Sequence, residues 1–177
     1  MVMQGREAEE AAVLMTAEAM CAAIRTAPKT KGIDDIRTCI VTGEEKEQLA
    51  EKMDQLAEEL HLGFLHRDAG NVRKSAAVVL LGHPNTVRGL NEGCQFCGFE
   101  SCKACMENGG RCVYIAIDLG IAMGSAVSLA ADLRMDNRIM FSIGRAAMEM
   151  DFLGEDICQA YGIPLSASGK SPYFDRK

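Results

Sequence analysis

Five of the chain's eight cysteines (Cys94, Cys97, Cys102, Cys105 and Cys112) fall within the 19 residues 94–112 of a 177-residue chain. Even scatter would place about one there. No other feature constrains the fold as strongly, because the surrounding structure has to gather soft sulfur donors on one glycine-rich loop. The spacing is Cys-x2-Cys-x4-Cys-x2-Cys-x6-Cys. Grouped thiolates suit either tetrahedral Zn²⁺ or an iron–sulfur cluster. Structural zinc sites usually pair two CxxC knuckles across roughly 12 or more residues. Here only four residues separate Cys97 from Cys102. A CxxC followed by x4-C wraps more naturally around a cubane, with a fourth thiolate arriving from further on. A [4Fe–4S] cluster is therefore the expected cofactor. Gly93, Gly98, Gly109 and Gly110 can adopt positive φ and so turn backbone amides toward sulfur. Phe96 and Phe99 are expected to pack around the site. Cys97-x4-Cys102-x2-Cys105 also matches the start of a plant-type [2Fe–2S] loop, whose last ligand would have to be the nearby Cys112 or Cys158. Five cysteines thus compete for four places, and Cys105 stays open as an alternative ligand.

The rest of the composition narrows the classes of function. Acidic residues outnumber basic ones by 25 to 19, and the net charge is −6. Without a basic run, nucleic acid is not an expected partner. Absent tryptophan and 5% aromatics also argue against a base-stacking surface. The start, MVMQGREAEEAAVLM, is acidic where a signal peptide would be basic, so the expected location is cytoplasmic with reduced thiols. No uncharged run, Leu119–Ala131 among them, exceeds 13 residues. That is short of the roughly 18–20 needed to cross a bilayer, and no membrane partner is expected. Gly120 and Gly124, at GxxxG spacing, read as close packing in a soluble core helix. Length and hydrophobic content fit one compact domain over 1–177, with the cluster-binding segment 89–112 inside it.

Periodicity supplies the elements. Val13, Leu14, Ala17, Met20, Cys21 and Ile24 share one face of a helix over 6–26, which Ala27-Pro28 ends. A short strand is expected at Thr38–Val41. Thr42-x-x-Glu45 then reads as a capping box opening a helix that carries Leu49, Met53, Leu56 and Leu60. Gly63 stops it. Ser75–Leu81 reads as a buried strand. Residues 113–133, apolar on nearly every face, read as a helix buried all round. Ile139, Phe141 and Ile143 alternate as in a strand, Ala146–Met150 suits a short helix, and the C-terminal end reads as extended or loop. The whole is α+β, dominated by helices around a small sheet.

Outside the cluster, Cys21, Cys39 and Cys158 read as small core residues. His83 precedes a proline and reads as a surface-loop histidine. Asp118 lies on the apolar helix and needs a cation, for which Arg134 or Arg138 is the expected partner.

The run GLNEGCQFCGFESC is similar to the CGxCGxxxC motif of the Rnf-complex B subunit. Together with GGRCVYIAIDLGIAMGSAVSLAADLRMDNRIMFSIGRAA and GIPLSASGKSPYFDR, it resembles the prokaryotic ferredoxin-domain-containing proteins of unknown function. That resemblance implies Cys94, Cys97, Cys102 and Cys112 as ligands and leaves Cys105 spare. A fainter resemblance, to the flavin-binding nitroreductase fold, rests on the helix, Ala27-Pro28 loop, strand and acidic-start helix, and on Asp118-x-Gly120-x-Ala122 continuing to Leu129-Ala130-Ala131. It implies a nitroreductase-like single domain with an inserted Cys-rich loop. It further implies FMN beside Pro28, Lys29 and Thr30, a phosphate held by Lys170 or Arg176, and a homodimer sharing the site. Where that fold's Arg/Ser phosphate signature would stand, this chain has Gln4-Gly5-Arg6. Lys29, Lys31 and Lys170 can equally be ordinary solvated lysines. The expected function is electron transfer through the cluster to a redox partner protein or small-molecule electron acceptor, coupled to flavin-dependent reduction of a small molecule. The alternative is a non-enzymatic module whose structural metal serves protein interaction or redox sensing, with Cys105 exchanging for a ligand.

Overall fold

The computed structural model describes residues 2–174. Its elements follow in the order α1 (Gly5–Thr26), β1 (Arg37–Val41), α2 (Gly43–Leu60), α3 (Phe64–Lys74), β2 (Ala77–Pro84), α4 (Cys102–Glu107), α5 (Val113–Asp132), β3 (Asp136–Asn137), α6 (Phe141–Glu149) and β4 (Ile157–Ser166). The four strands form one antiparallel sheet in the order β1-β2-β4-β3. Helices cover both faces. Val78 and Leu80 of β2 point into a core with Leu49, Met53, Leu56, Leu65, Val72 and Ile143, from α2, α3 and α6. Ala77, Val79 and Leu81 point the other way, into Val13, Ala17, Met20 and Ile24 of α1 and Leu119, Ala122 and Ala126 of α5. A strand covered on both faces loses the alternation of a half-exposed one, which is why this segment is apolar throughout.

Helix α1 ends as expected, with Ala27 extended at ψ 140° ahead of Pro28. The capping box does not form. Thr42 makes no side-chain cap; its carbonyl accepts from the Lys46 N–H at 3.2 Å, and α2 opens on Gly43 at φ 57°. Leu60 is 46% exposed and leaves the apolar stripe. Helix α3 is an addition to the expected elements, burying Leu65, Ala69 and Val72 at helical spacing. Strand β2 runs on to Pro84, so His83 is 3% exposed inside the sheet and is not a surface-loop residue.

The alternation at Ile139, Phe141 and Ile143 does not give a strand. Only Asp136 and Asn137 pair with β4, Met140 bridges to Gly162, and α6 takes over from Phe141. Two glycines permit this. A Cβ on Gly144 would stand 1.9 Å from the Ala160 carbonyl oxygen, and one on Gly162 would stand 2.2 Å from Ile143. α6 therefore lies directly on β4. Helix α5 departs from all-round burial. Ile115, Asp118, Leu119, Ala122, Ala126 and Ala130 form one inward stripe packed toward α1. Val113, Ile117 and Ile121 on the other side are at least a third exposed. Gly120 and Gly124 share that exposed side, with open space where a Cβ would stand. By length and composition α5 is apolar enough to cross a membrane, with a mean hydropathy of 1.7.

Candidate functional site

The segment between β2 and α5 leaves the end of the central strand β2, turns at Asn91–Gly93 and forms the short helix α4. All five clustered cysteines line one small cavity there, together with Arg88, Phe99 and Tyr114. Ser101 caps α4 by accepting the Ala104 N–H at 3.1 Å, which fixes Cys102 at the helix start and Cys105 one turn on. Cys112 is the N-cap residue of α5. The sequence thus places two of its donors, Cys102 and Cys112, at helix starts, where the backbone is held firmly. The Asn91 N–H donates to the Cys102 sulfur at 3.4 Å, from a residue at φ 48°. An amide aimed at sulfur favours a thiolate there and is one of the means by which proteins tune iron–sulfur sites.

Of the four glycines expected to open the loop, Gly98 and Gly109 do adopt positive φ. Gly110 serves by close approach instead: a Cβ there would meet Phe99 at 2.6 Å and the Cys105 sulfur at 2.8 Å. Phe99 lines the cavity, whereas Phe96 is 67% exposed and stacks on Tyr114 with ring centroids 5.7 Å apart. Cys105 is 1% exposed. Burial raises its thiol pKa first, followed by the neighbouring Cys97, Cys112 and Cys102. Cys105 therefore belongs to the cavity wall.

Soft thiol donors lining one cavity are a donor set that fits an iron–sulfur group. Zn–S bonds of about 2.3 Å bring tetrahedral thiolates to within about 4 Å of one another. Among the described residues, no three His, Cys, Asp or Glu side chains converge in a way that would hold one metal ion.

Beneath the cavity lies a charged network that sequence reasoning assigned to the wrong arginine. Asp118 pairs with Arg88, and neither Arg134 nor Arg138 supplies the cation. The Arg88 Nε donates to Asp118 Oδ2 at 2.9 Å, and its two terminal nitrogens donate to Asp35 at 2.9 Å each. Arg138 donates to the Tyr173 carbonyl and stacks over Phe174. Thr86 adds a hydroxyl hydrogen bond to Asp35, and the Thr30 N–H and hydroxyl both reach Asp118 Oδ1, at 2.9 and 2.8 Å. The Arg88 guanidinium pulls the Asp35 carboxyl down to about 2 and is itself held charged by both carboxylates. Nothing local marks Arg88, since its partners lie 30 and 53 residues away in the chain.

The second set of expected residues behaves differently. Pro28 is exposed on the α1–β1 loop. Lys29 is not solvated: its side chain is 3% exposed, and its ammonium donates to the Ile24 carbonyl and, at 2.7 Å, to that of Arg25, at the end of α1. Burial lowers its pKa, and Asp34 at 3.8 Å opposes that. Lys170 is exposed, and its carbonyl accepts from Ser168 at 2.9 Å. Arg176 lies outside the described residues. Cys21 and Cys39 sit half-buried beside the two cores, as expected of small core thiols. Cys158 is half-buried at the β2–β4 irregularity, 3.7 Å from His83 Nδ1.

Comparison with known proteins places this arrangement. The family described as "uncharacterized protein containing a ferredoxin domain" (DUF2148) matches residues 108–176, taking in Cys112 but starting beyond Cys105. An uncharacterized protein of Archaeoglobus fulgidus is 44% identical over 184 residues, covering 99% of this chain and 98% of its own length. Nitroreductase CinD from Lactococcus lactis, solved with nicotinic acid, has a TM-score of 0.60 at 15% identity, over 96% of this chain and 81% of that one. A Desulfitobacterium hafniense nitroreductase with bound FMN has a TM-score of 0.59 at 16% identity, over 88% and 78%. At such identities the two structures speak for the fold alone, which is a nitroreductase-like α+β domain. Family match and full-length relative agree, and the chain belongs to the family of proteins that contain a ferredoxin domain.

Proposed function

We propose that this is an iron–sulfur electron-transfer protein whose [4Fe–4S] cluster is held by Cys94, Cys97, Cys102 and Cys112. The observation that carries the reading is the convergence of all five clustered cysteines on one cavity, with an amide directed at the Cys102 sulfur. The cluster would supply one-electron redox chemistry. The chain's own residues orient the thiolates, restrict water and set the local charge.

FMN beside the α1–β1 loop is the second part of the proposal, supported by the nitroreductase-like fold. Lys29 and the Thr30 hydroxyl make their polar contacts inside the protein. That leaves Pro28 and the loop backbone to meet a ring, with the exposed Lys170 to face a phosphate. We further propose a cytoplasmic homodimer with no nucleic-acid or membrane partner, delivering electrons to a redox protein or small-molecule acceptor. The exposed stripe Val113, Ile117 and Ile121, interleaved with Gly120 and Gly124, supports a second copy packing on α5.

Anaerobic purification followed by iron and acid-labile sulfide analysis, EPR and absorption spectroscopy tests the reading. Iron and sulfide in near-equal amounts, about four each per chain, with a broad charge-transfer absorption, are expected for a cubane. A colourless protein carrying zinc, or no metal at all, would reject it. A two-banded flavin spectrum decides the FMN part separately.

A further inference from the structure

The charged network and the cysteine cavity are one structure. Arg88, 1% exposed, lines the cavity while its guanidinium is held by Asp35 and Asp118. From Asp118 the hydrogen bonds continue to Thr30 on the α1–β1 loop. In the other direction, three residues along the chain from Arg88, the Asn91 N–H meets the Cys102 sulfur. Between them Gly89 turns the backbone at φ 67°. The first turn of the cysteine loop is thus anchored to α5 and to the α1–β1 loop through one arginine.

Burying three ionised groups is costly, and apolar residues of similar volume would close two loops as well or better. Two carboxylates and one guanidinium leave a formal charge of −1 beside the cavity. In a medium of low dielectric such a charge acts strongly on any charge arriving next to it.

We propose that Arg88 is a positioning residue for the metal centre, and that the net-negative Asp35–Arg88–Asp118 triad holds down the centre's reduction potential. The inference rests on the cluster reading above and adds to it which residues set the potential. One-electron reduction by a chemical titrant such as dithionite places one more negative charge in the cavity. Each fixed carboxylate opposes that charge, and the guanidinium favours it.

The test is an EPR-monitored redox titration of anaerobically prepared full-length protein. The wild type is compared with Asp118→Asn, Asp35→Asn, Arg88→Gln and Arg88→Lys. Either Asp→Asn change should raise the midpoint potential, and Arg88→Gln should lower it. Arg88→Lys keeps the charge and loses the forked hydrogen bonds. It should stay nearest the wild-type potential yet release iron to a chelator several-fold faster. A purely structural network would move every variant in the same direction, or none. Either pattern overturns the proposal. Asp35 has an 18% exposed side chain and tolerates neutralisation best, so Asp35→Asn decides the outcome if Asp118→Asn does not fold. A wild-type protein without iron and sulfide defeats the cluster reading instead, which keeps the two failures distinguishable.

Discussion

At Cys105 and Cys102 two sulfurs one helical turn apart meet different surroundings. Cys102 opens α4 and receives the Asn91 amide. Cys105 is enclosed at 1% exposure against Gly110 and Phe99, and among the described residues no backbone N–H is directed at its sulfur. Donation to sulfur stabilises a thiolate, so the better ligand of the pair is Cys102. Cys105→Ser should then retain wild-type iron and sulfide, whereas Cys102→Ser, like serine at Cys94, Cys97 or Cys112, should lose half or more. Metal and sulfide per chain after anaerobic desalting measure this, and the reverse pattern would move the ligand set to Cys105. The cysteines were legible from sequence because their grouping is local. Arg88 was not, because three arginines satisfy the demand of Asp118 equally well on paper. Only the fold brings position 88 beside position 118.

Among elements, the long amphipathic helices and the buried strand were legible because each repeats its period several times. Ile139, Phe141 and Ile143 repeat theirs too few times to separate a strand from the start of a helix. What decides is the Gly144–Ala160 contact between residues distant in sequence. A methyl group there has no room, so Gly144→Ala should destabilise the protein by about 1–3 kcal/mol or more, read as a lowered thermal midpoint. Gly120→Ala, with open space at its Cβ, serves as the control in the monomer fold. Helix α3 carried its signal in Leu65, Ala69 and Val72, diluted by polar neighbours in a short element. Its junction with α2 is pH-sensitive. His66 lies 2.6 Å from Asp54 and 2.9 Å from Glu58, and the hydrogen bonds that its ring donates to these two carboxylates raise its pKa above the usual value. A raised folded-state pKa means that the contact's contribution is complete below the ordinary histidine value of about 6.5 and is lost as pH rises through the raised one. Histidine NMR titration should give His66 a midpoint above that of a free imidazole, and Asp54→Asn should bring it down. A midpoint at or below the free value would show that the carboxylates do not hold it.

For the whole molecule, the unfinished surface is on α5. Scattered apolar side chains such as Leu14 and Phe174 are ordinary on a soluble protein. Val113, Ile117 and Ile121 instead follow one another along a single helix face, at 36, 43 and 43% exposure, with the open glycines 120 and 124 between them. Small residues let two helix backbones approach, and the flanking isoleucines supply the apolar area that approach would bury. The stripe also begins at Val113, which lines the cavity beside Tyr114. A second copy seated on α5 would therefore cover the approach to the cysteines as well as the helix. Under sedimentation, the wild-type protein should run at twice the 19.1 kDa chain mass. Ile117→Glu should run as a monomer that loses its iron–sulfur absorption faster in air. Phe141→Glu introduces the same charge at a 57% exposed site on α6 and should change neither property. A monomeric wild type would remove the second copy as the cover of α5. A dimer that survives Ile117→Glu would place the interface on another face and leave the cavity wall open to solvent.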